Sequence, residues 1–249
     1  MNFRPKIITG DCLEVLPTIE DKSIDMLFTD PPFNISHANG DIIRKNSKNP
    51  HYRFKGKNIK RNIGEWDKFD TDDNYWSFMV QWIEIANQKL KKDCNFVCFI
   101  AKEKVSYLED ILREYGFRSR NVLAWIKKNP VPQLRKVNFA SALEFILWCS
   151  RGNNTFNYKL GHSPNYMFLP IVGGKERNDH PAQKPEKLVS WIIQYLSNEG
   201  DIILDPFTGS GTIPRIAMNL KRHSVGIEID SKYVKMAKNR CGLFNQIII

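Results

Sequence analysis

A chain of 249 residues with 42% hydrophobic side chains can bury a sizeable core, which excludes global disorder. It has no apolar run near the roughly 20 residues of a membrane span. Its start, Met1-Asn2-Phe3-Arg4-Pro5, lacks the apolar core of a signal peptide, so a cytoplasmic protein without a membrane partner is expected. Lys and Arg number 37 against 27 Asp and Glu, a net charge of +10, which suits an acidic partner such as nucleic acid or, equally, a basic enzyme with a solvated surface.

In chain order, Lys6–Thr9 reads as a short strand, followed by Gly10-Asp11-Cys12, where Asp11 can cap the next turn. Ile24–Thr29 is an apolar strand that runs into Asp30-Pro31-Pro32-Phe33. Two prolines can neither continue a ladder nor sit inside a helix, so this is a rigid extended turn at a strand's carboxyl end. It offers a carboxylate, a carbonyl fixed between prolines and an aromatic face, which is what an exocyclic amine on a flat base requires. As an isolated tetrapeptide it would pass for an ordinary turn.

Residues 34–70 carry no clear period. Within them, 44–61 holds Arg44, Lys45, Lys48, Arg53, Lys55, Lys57, Lys60 and Arg61, with Tyr52 and Phe54 between them and no acidic residue. A loop this long inside a compact domain is usually functional or disordered, and this one reads as a mobile basic segment. Trp76, Met79, Ile83, Ala86 and Leu90 then fall on one helical face. A strand over 96–100, a helix carrying Val105, Leu108, Leu112 and Tyr115, and strands over 121–126 and 143–149 follow. Cys94 and Cys98 lie at the edge of and inside an apolar run, and the five cysteines show no metal-ligand spacing.

Residues 151–179, rich in Gly, Asn and Pro, read as a second long loop. Pro185 then stands where a first helical residue would, ahead of Leu188, Ile192 and Leu196. Ile202–Asp205 is a strand, Pro206 to Gly211 a tight turn, 212–220 a helix and 224–228 a last strand ending at Glu228. This is the plan of a nucleoside-binding unit, in which an acidic residue after the second strand binds ribose hydroxyls. It lacks the Gly-Lys-Ser/Thr of a phosphate loop, and Asp205 would repel a pyrophosphate but suit a cationic amino group. Seven strands alternating with helices predict an α/β fold with a mostly parallel sheet covered on both faces.

Asp30-Pro31-Pro32-Phe33 together with Asp205-Pro206-Phe207-Thr208-Gly209-Ser210-Gly211-Thr212 resembles the S-adenosylmethionine-dependent amino-DNA methyltransferases. Gly10-Asp11-Cys12 and His180-Pro181-Ala182-Gln183-Lys184-Pro185 extend the match. The order of these motifs is that of the circularly permuted β-class. The resemblance implies a single Rossmann-like methyltransferase domain over 1–249, with 34–70 as a DNA-contacting loop and 151–179 as a short target-recognition segment.

It assigns Asp30, Pro31, Pro32 and Phe33 to catalysis. Asp205, Phe207, Gly209, Ser210, Gly211 and Thr212 would line the methionine part of S-adenosylmethionine, with Asp30 facing it. Glu228 would take the ribose hydroxyls, and Asp11 with Cys12 the adenine edge. Lys184 and His180 would lie near the methionine carboxylate, although Lys184 could also be a surface lysine at a helix start. Phe33 stands where Tyr is more frequent, which keeps a stacking face and excludes a hydroxyl role.

The implied reaction moves a methyl group to the N6 amine of an adenine flipped out of duplex DNA. Similar enzymes acting on N4 of cytosine more often carry Ser at the position of Asp30, which favours adenine. An RNA methyltransferase and an inactive DNA-binding protein of the same fold are the remaining alternatives. Homodimers are frequent among similar enzymes, so one is expected; a cognate restriction endonuclease is left open.

Overall fold

The computed structural model describes residues 3–34, 41–42, 59–60, 67, 69–132 and 137–243. The chain divides into two compact units: residues 1–31 with 80–249, and residues 32–79. In chain order the strands are β1 (Lys6–Thr9), β2 (Ile24–Thr29), β3 (Asp41–Ile42), β4 (Ile59–Lys60), β5 (Leu90–Ile100), β6 (Arg118–Lys127), β7 (Leu143–Arg151), β8 (Tyr166–Leu169), β9 (Ile202–Asp205) and β10 (His223–Glu228). The helices are α1 (Cys12–Val15), α2 (Asp72–Lys89), α3 (Val105–Glu114), α4 (Glu186–Leu196), α5 (Thr212–Asn219) and α6 (Ser231–Arg240). No described helix is long and apolar enough to cross a membrane.

The larger unit is built on one sheet in the order β1-β10-β9-β2-β5-β7-β6-β8. Strands β1, β10, β9, β2 and β5 run parallel, and β7 runs antiparallel to both β5 and β6. All seven strands expected from sequence are present. The eighth, β8, pairs in parallel with β6 inside the segment expected to be loop, because Tyr166 to Leu169 find an open sheet edge. Central strands are apolar on both faces: residues 96–100 of β5 are each at most 1% exposed, as burial between two helical layers demands. Full burial of such side chains contributes about 1.5–3 kcal/mol each.

Two local expectations change. Leu90 belongs to β5 rather than to the preceding helix, since the chain turns from α2 into the strand without a loop. Pro185 is the N-cap of α4, with extended backbone, and the helix starts one residue later at Glu186.

Chain order reverses direction around β9, whose neighbours are β10 on one side and β2 on the other. Such a switch point opens a crevice at the carboxyl ends of the strands. Parallel pairing brings Asp205, Glu228, the Gly10-Asp11 step after β1 and Asp30 after β2 to that same end.

In the smaller unit β3 and β4 form an antiparallel pair, with Asp41 opposite Lys60. Asp67, 1% exposed, accepts from the backbone N–H groups of Phe33 at 2.6 Å and Asn34 at 2.9 Å. Asn34 sits at φ 54° and accepts from the N–H of Phe69 at 3.2 Å. Phe69 packs edge-on against Tyr75, 5.4 Å between centroids.

Candidate active site

The glycine turn after β9 is fixed by backbone geometry. Gly209 and Gly211 hold φ of 51° and 79°, in the left-handed region that favours glycine. A Cβ on Gly211 would lie 2.8 Å from Ala237, so glycine also lets α5 approach α6. A Cβ on Gly209 would lie 3.0 Å from Nε2 of His180. The turn is thus seated directly on the His180 ring, which itself meets Tyr233 edge-on at 4.5 Å.

Three acidic side chains converge here. Glu228 accepts from the N–H of Gly209 at 2.7 Å and of Asp230 at 2.8 Å, so its carboxylate ties the turn to the end of β10. Burial pushes its carboxyl up, while those backbone donors oppose the shift. Asp205 is 1% exposed and accepts from Thr29 Oγ1 at 2.7 Å. Burial raises it to about 7 against the hydrogen bonds from Thr29 and Phe207, with Asp30 and Glu228 adding repulsion. Asp11 caps α1 by accepting from the N–H of Leu13 at 2.9 Å, and Cys12 beside it is a buried thiol raised to about 12 by burial and by Asp11.

Asp30 follows β2 directly, and its Oδ2 meets the Lys184 ammonium at 2.5 Å. The Lys184 side chain is 9% exposed, so the surface-lysine alternative does not hold. The ammonium also lies 3.5 Å from Glu144 and 4.8 Å from the Phe99 ring centroid. Burial alone would lower the Lys184 pKa, but Asp30 and Glu144 hold it above its ordinary value. Stripping such a buried ion of its partner costs about 3–5 kcal/mol. Lys184, assigned by resemblance to the cofactor's carboxylate, is therefore engaged with the carboxylate of the Asp-Pro-Pro-Phe turn. His180 is lowered to about 4 by burial and by Lys184, Arg177 and Arg240, and its Nδ1 accepts from the N–H of Ala182 at 3.3 Å. It is a neutral ring at pH 7.

Phe207 packs edge-on against Trp82, 5.3 Å between centroids. Ser210 and Thr212 are buried, and Arg240 reaches back from α6 to them, at 2.7 Å from Thr212 Oγ1. Arg240 is in turn held at 2.7 Å by Glu186, two residues after Lys184. Pro31 is buried at the end of the larger unit; Pro32 and Phe33 open the smaller one. Arg44, Lys45, Lys48, Arg53, Lys55, Lys57 and Arg61 lie outside the described residues, as do Tyr52 and Phe54, and Lys60 ends β4.

Sequence reasoning missed Thr29, Trp82, Glu144, Arg240 and Asp67. None belongs to a local motif, and each meets its partner only through the fold. It also missed Ile229, a large apolar side chain 59% exposed immediately after Glu228.

These residues fit an adenosine-like ligand carrying a cationic amino acid. A turn with no room for side chains, a buried acid poised to ionise beside a cation, and a second acid at the neighbouring strand end are the parts required. Comparison with known proteins agrees. A family model described as DNA methylase, of the N6/N4 type, matches residues 24–239. The chain is 33% identical over 256 residues to the type II methyltransferase M.HinfI of Haemophilus influenzae, covering 96% of this chain and 68% of that protein. It is 32% identical over 247 residues to the type II methyltransferase M2.MboI of Moraxella bovis, covering 94% of this chain and 86% of that one. Among solved structures, the M1.HpyAVI–SAM complex superimposes with a TM-score of 0.72 at 26% identity, covering 95% of this chain and 98% of that one. The cytosine-N4-specific PvuII DNA methyltransferase shares the fold, with a TM-score of 0.72 at 21% identity over 99% of this chain and 88% of its own. The chain belongs to the N6/N4 family of DNA methylases.

Proposed function

We propose that this DNA methyltransferase acts on the N6 amine of adenine and that Asp30 and the Pro31 carbonyl receive that amine. S-adenosylmethionine is the methyl donor, and it supplies a methyl group already activated on a sulfonium. The observation that carries the adenine reading is the carboxylate of Asp30 at the carboxyl end of β2, where enzymes acting on cytosine more often have a serine.

An aromatic amine is a weak nucleophile because its lone pair is delocalised into the ring. Acceptors at Asp30 and the Pro31 carbonyl draw its hydrogens toward a tetrahedral arrangement and stabilise the positive charge that develops on nitrogen. Alignment of amine and methyl group supplies much of the remaining acceleration. Glu228 and the glycine turn position the ribose side of the donor, Asp11 and Cys12 its adenine edge, and Asp205 its amino group. Phe33, held through its N–H by Asp67, is the ring assigned to stack on the flipped base.

The 44–61 segment contacts the phosphate backbone, and residues 151–179 share sequence recognition with the 34–70 loop. The chain works on duplex DNA in the cytoplasm, with a homodimer as the expected assembly and a cognate restriction endonuclease left open. Incubation with tritiated S-adenosylmethionine and DNA, followed by nucleoside analysis, tests the reading. Label in N6-methyladenine is expected; label in N4-methylcytosine would overturn the choice of base.

A further inference from the structure

Asp30, Lys184, Glu144 and Lys127 form a line of alternating charge at the carboxyl end of the sheet. Lys184 Nζ lies 2.5 Å from Asp30 Oδ2 and 3.5 Å from Glu144 Oε2. Lys127 Nζ lies 2.8 Å from the other oxygen, Glu144 Oε1. The four come from four places in the chain: the end of β2, the step before α4, the start of β7 and the end of β6. Glu144 Oε2 is a buried carboxylate oxygen with no hydrogen-bond partner among the described residues. Buried acceptors are nearly always satisfied, so an acceptor without a hydrogen bond beside an ammonium at 3.5 Å needs an explanation.

Asp30 supplies one. An oxygen engaged by an ammonium at 2.5 Å is a weaker acceptor for a neutral amine. For the proposed chemistry, Asp30 must exchange that partner for the hydrogens of the target nitrogen. The lysine then turns to the other buried carboxylate within reach, Glu144, whose Oε2 lies 3.5 Å from the ammonium, a few tenths of an ångström longer than a good hydrogen bond. Burial alone would push the Glu144 carboxyl up, but Lys184 and Lys127 hold it below its ordinary value, so it is an anion ready to accept a cation.

We propose that Glu144 is a positioning residue for methyl transfer: it receives the Lys184 ammonium when Asp30 turns to the target amine. Lys127 fixes the Glu144 carboxylate by its other oxygen, so the ammonium moves and the carboxylate stays. No bond is made or broken in the exchange, and the four charges sum to zero before and after it. The inference rests on the reading of Asp30 as the acceptor of the amine.

Two substitutions separate charge from packing. Glu144→Gln keeps the volume and removes the charge; Glu144→Asp keeps the charge and removes one methylene. The expected result is a single-turnover methyl-transfer rate at least tenfold slower in Glu144→Gln, recovering to within about threefold of wild type in Glu144→Asp. Cofactor affinity should stay within about threefold in both. A Gln variant as fast as wild type, or a Gln and an Asp variant slowed equally, overturns the proposal. If Glu144→Gln does not fold, the wild-type protein is labelled with 13C at glutamate carboxyls, with Glu144 assigned through Glu144→Asp. Its resonance should shift when duplex DNA and an unreactive cofactor analogue are added, and an unmoved resonance overturns the proposal. The Asp30→Ala variant distinguishes the two failures: if it stays active, the reading of Asp30 is wrong, whereas an inactive Asp30→Ala with a fast Glu144→Gln removes only the role of Glu144.

Discussion

Thr29 Oγ1 donates to Asp205 Oδ1 at 2.7 Å, joining the carboxyl ends of neighbouring strands β2 and β9 across 176 residues of chain. The bond links the strand that carries the Asp-Pro-Pro-Phe turn to the one that carries the glycine turn. It also supports a carboxyl group whose protonation is set by its surroundings.

Burial raises Asp205 to about 7 from an ordinary value of 3.8. Below about pH 4 the folded and unfolded chains both hold this proton. Between there and about 7 the unfolded chain loses it while the folded chain keeps it, so this contribution to stability falls as pH rises through that window. The stability difference between wild type and Asp205→Asn, from denaturant unfolding of the ligand-free protein, should therefore shift against wild type between pH 4 and 7 and level off above. A cationic amino group beside Asp205 favours the ionised form, so cofactor binding near pH 7 should release roughly half a proton. Calorimetry in two buffers of different ionisation enthalpy measures that release. Thr29→Val, which removes a hydrogen bond to the charged form, should move the release to higher pH.

Glu228→Gln should weaken cofactor binding by about 1.5–3 kcal/mol, or roughly 10- to 150-fold. The carboxylate accepts from two backbone N–H groups, and an amide would turn a donor toward one of them. The variant thus loses charge toward the ribose and loosens the glycine turn together. Equilibrium binding measures the effect, and an unchanged dissociation constant would remove Glu228 from the cofactor site.

The parallel sheet and its two motif-bearing turns were legible because each is written locally. Residues 96–100 are an apolar run too short for a helix, and Pro31-Pro32 and Gly209-Ser210-Gly211 can only be turns. What escaped depends on distant partners. Tyr166 to Leu169 form a strand only because β6 leaves an edge open, and in sequence they are a short apolar stretch among Gly, Asn and Pro. Glu144 is one polar residue at a strand start, and nothing near it announces Lys184, forty residues on. Arg240 reads as a basic residue in the last turn of α6, where it suits the helix's negative end, yet its side chain serves Thr212 and Glu186.

Neutralising Lys55, Lys57, Lys60 and Arg61 together should weaken DNA binding and flatten its salt dependence. Removing one cation from a phosphate lowers the slope of log affinity against log salt by about 0.9. Cofactor affinity should not change. Binding titrations from low to moderate salt provide the slope, and a wild-type slope in the quadruple variant would pass the backbone contacts to residues 151–179.

The most direct test of the account is methyl transfer by Asp30→Ala, measured alongside wild type with tritiated S-adenosylmethionine and duplex DNA. Cofactor affinity is measured on the same samples. Asp30 is the proposed acceptor of the amine, while the hydrogen bond between the glycine turn and Glu228 does not involve it. The account predicts that transfer is abolished and that cofactor affinity falls only modestly. Transfer within tenfold of wild type would contradict it.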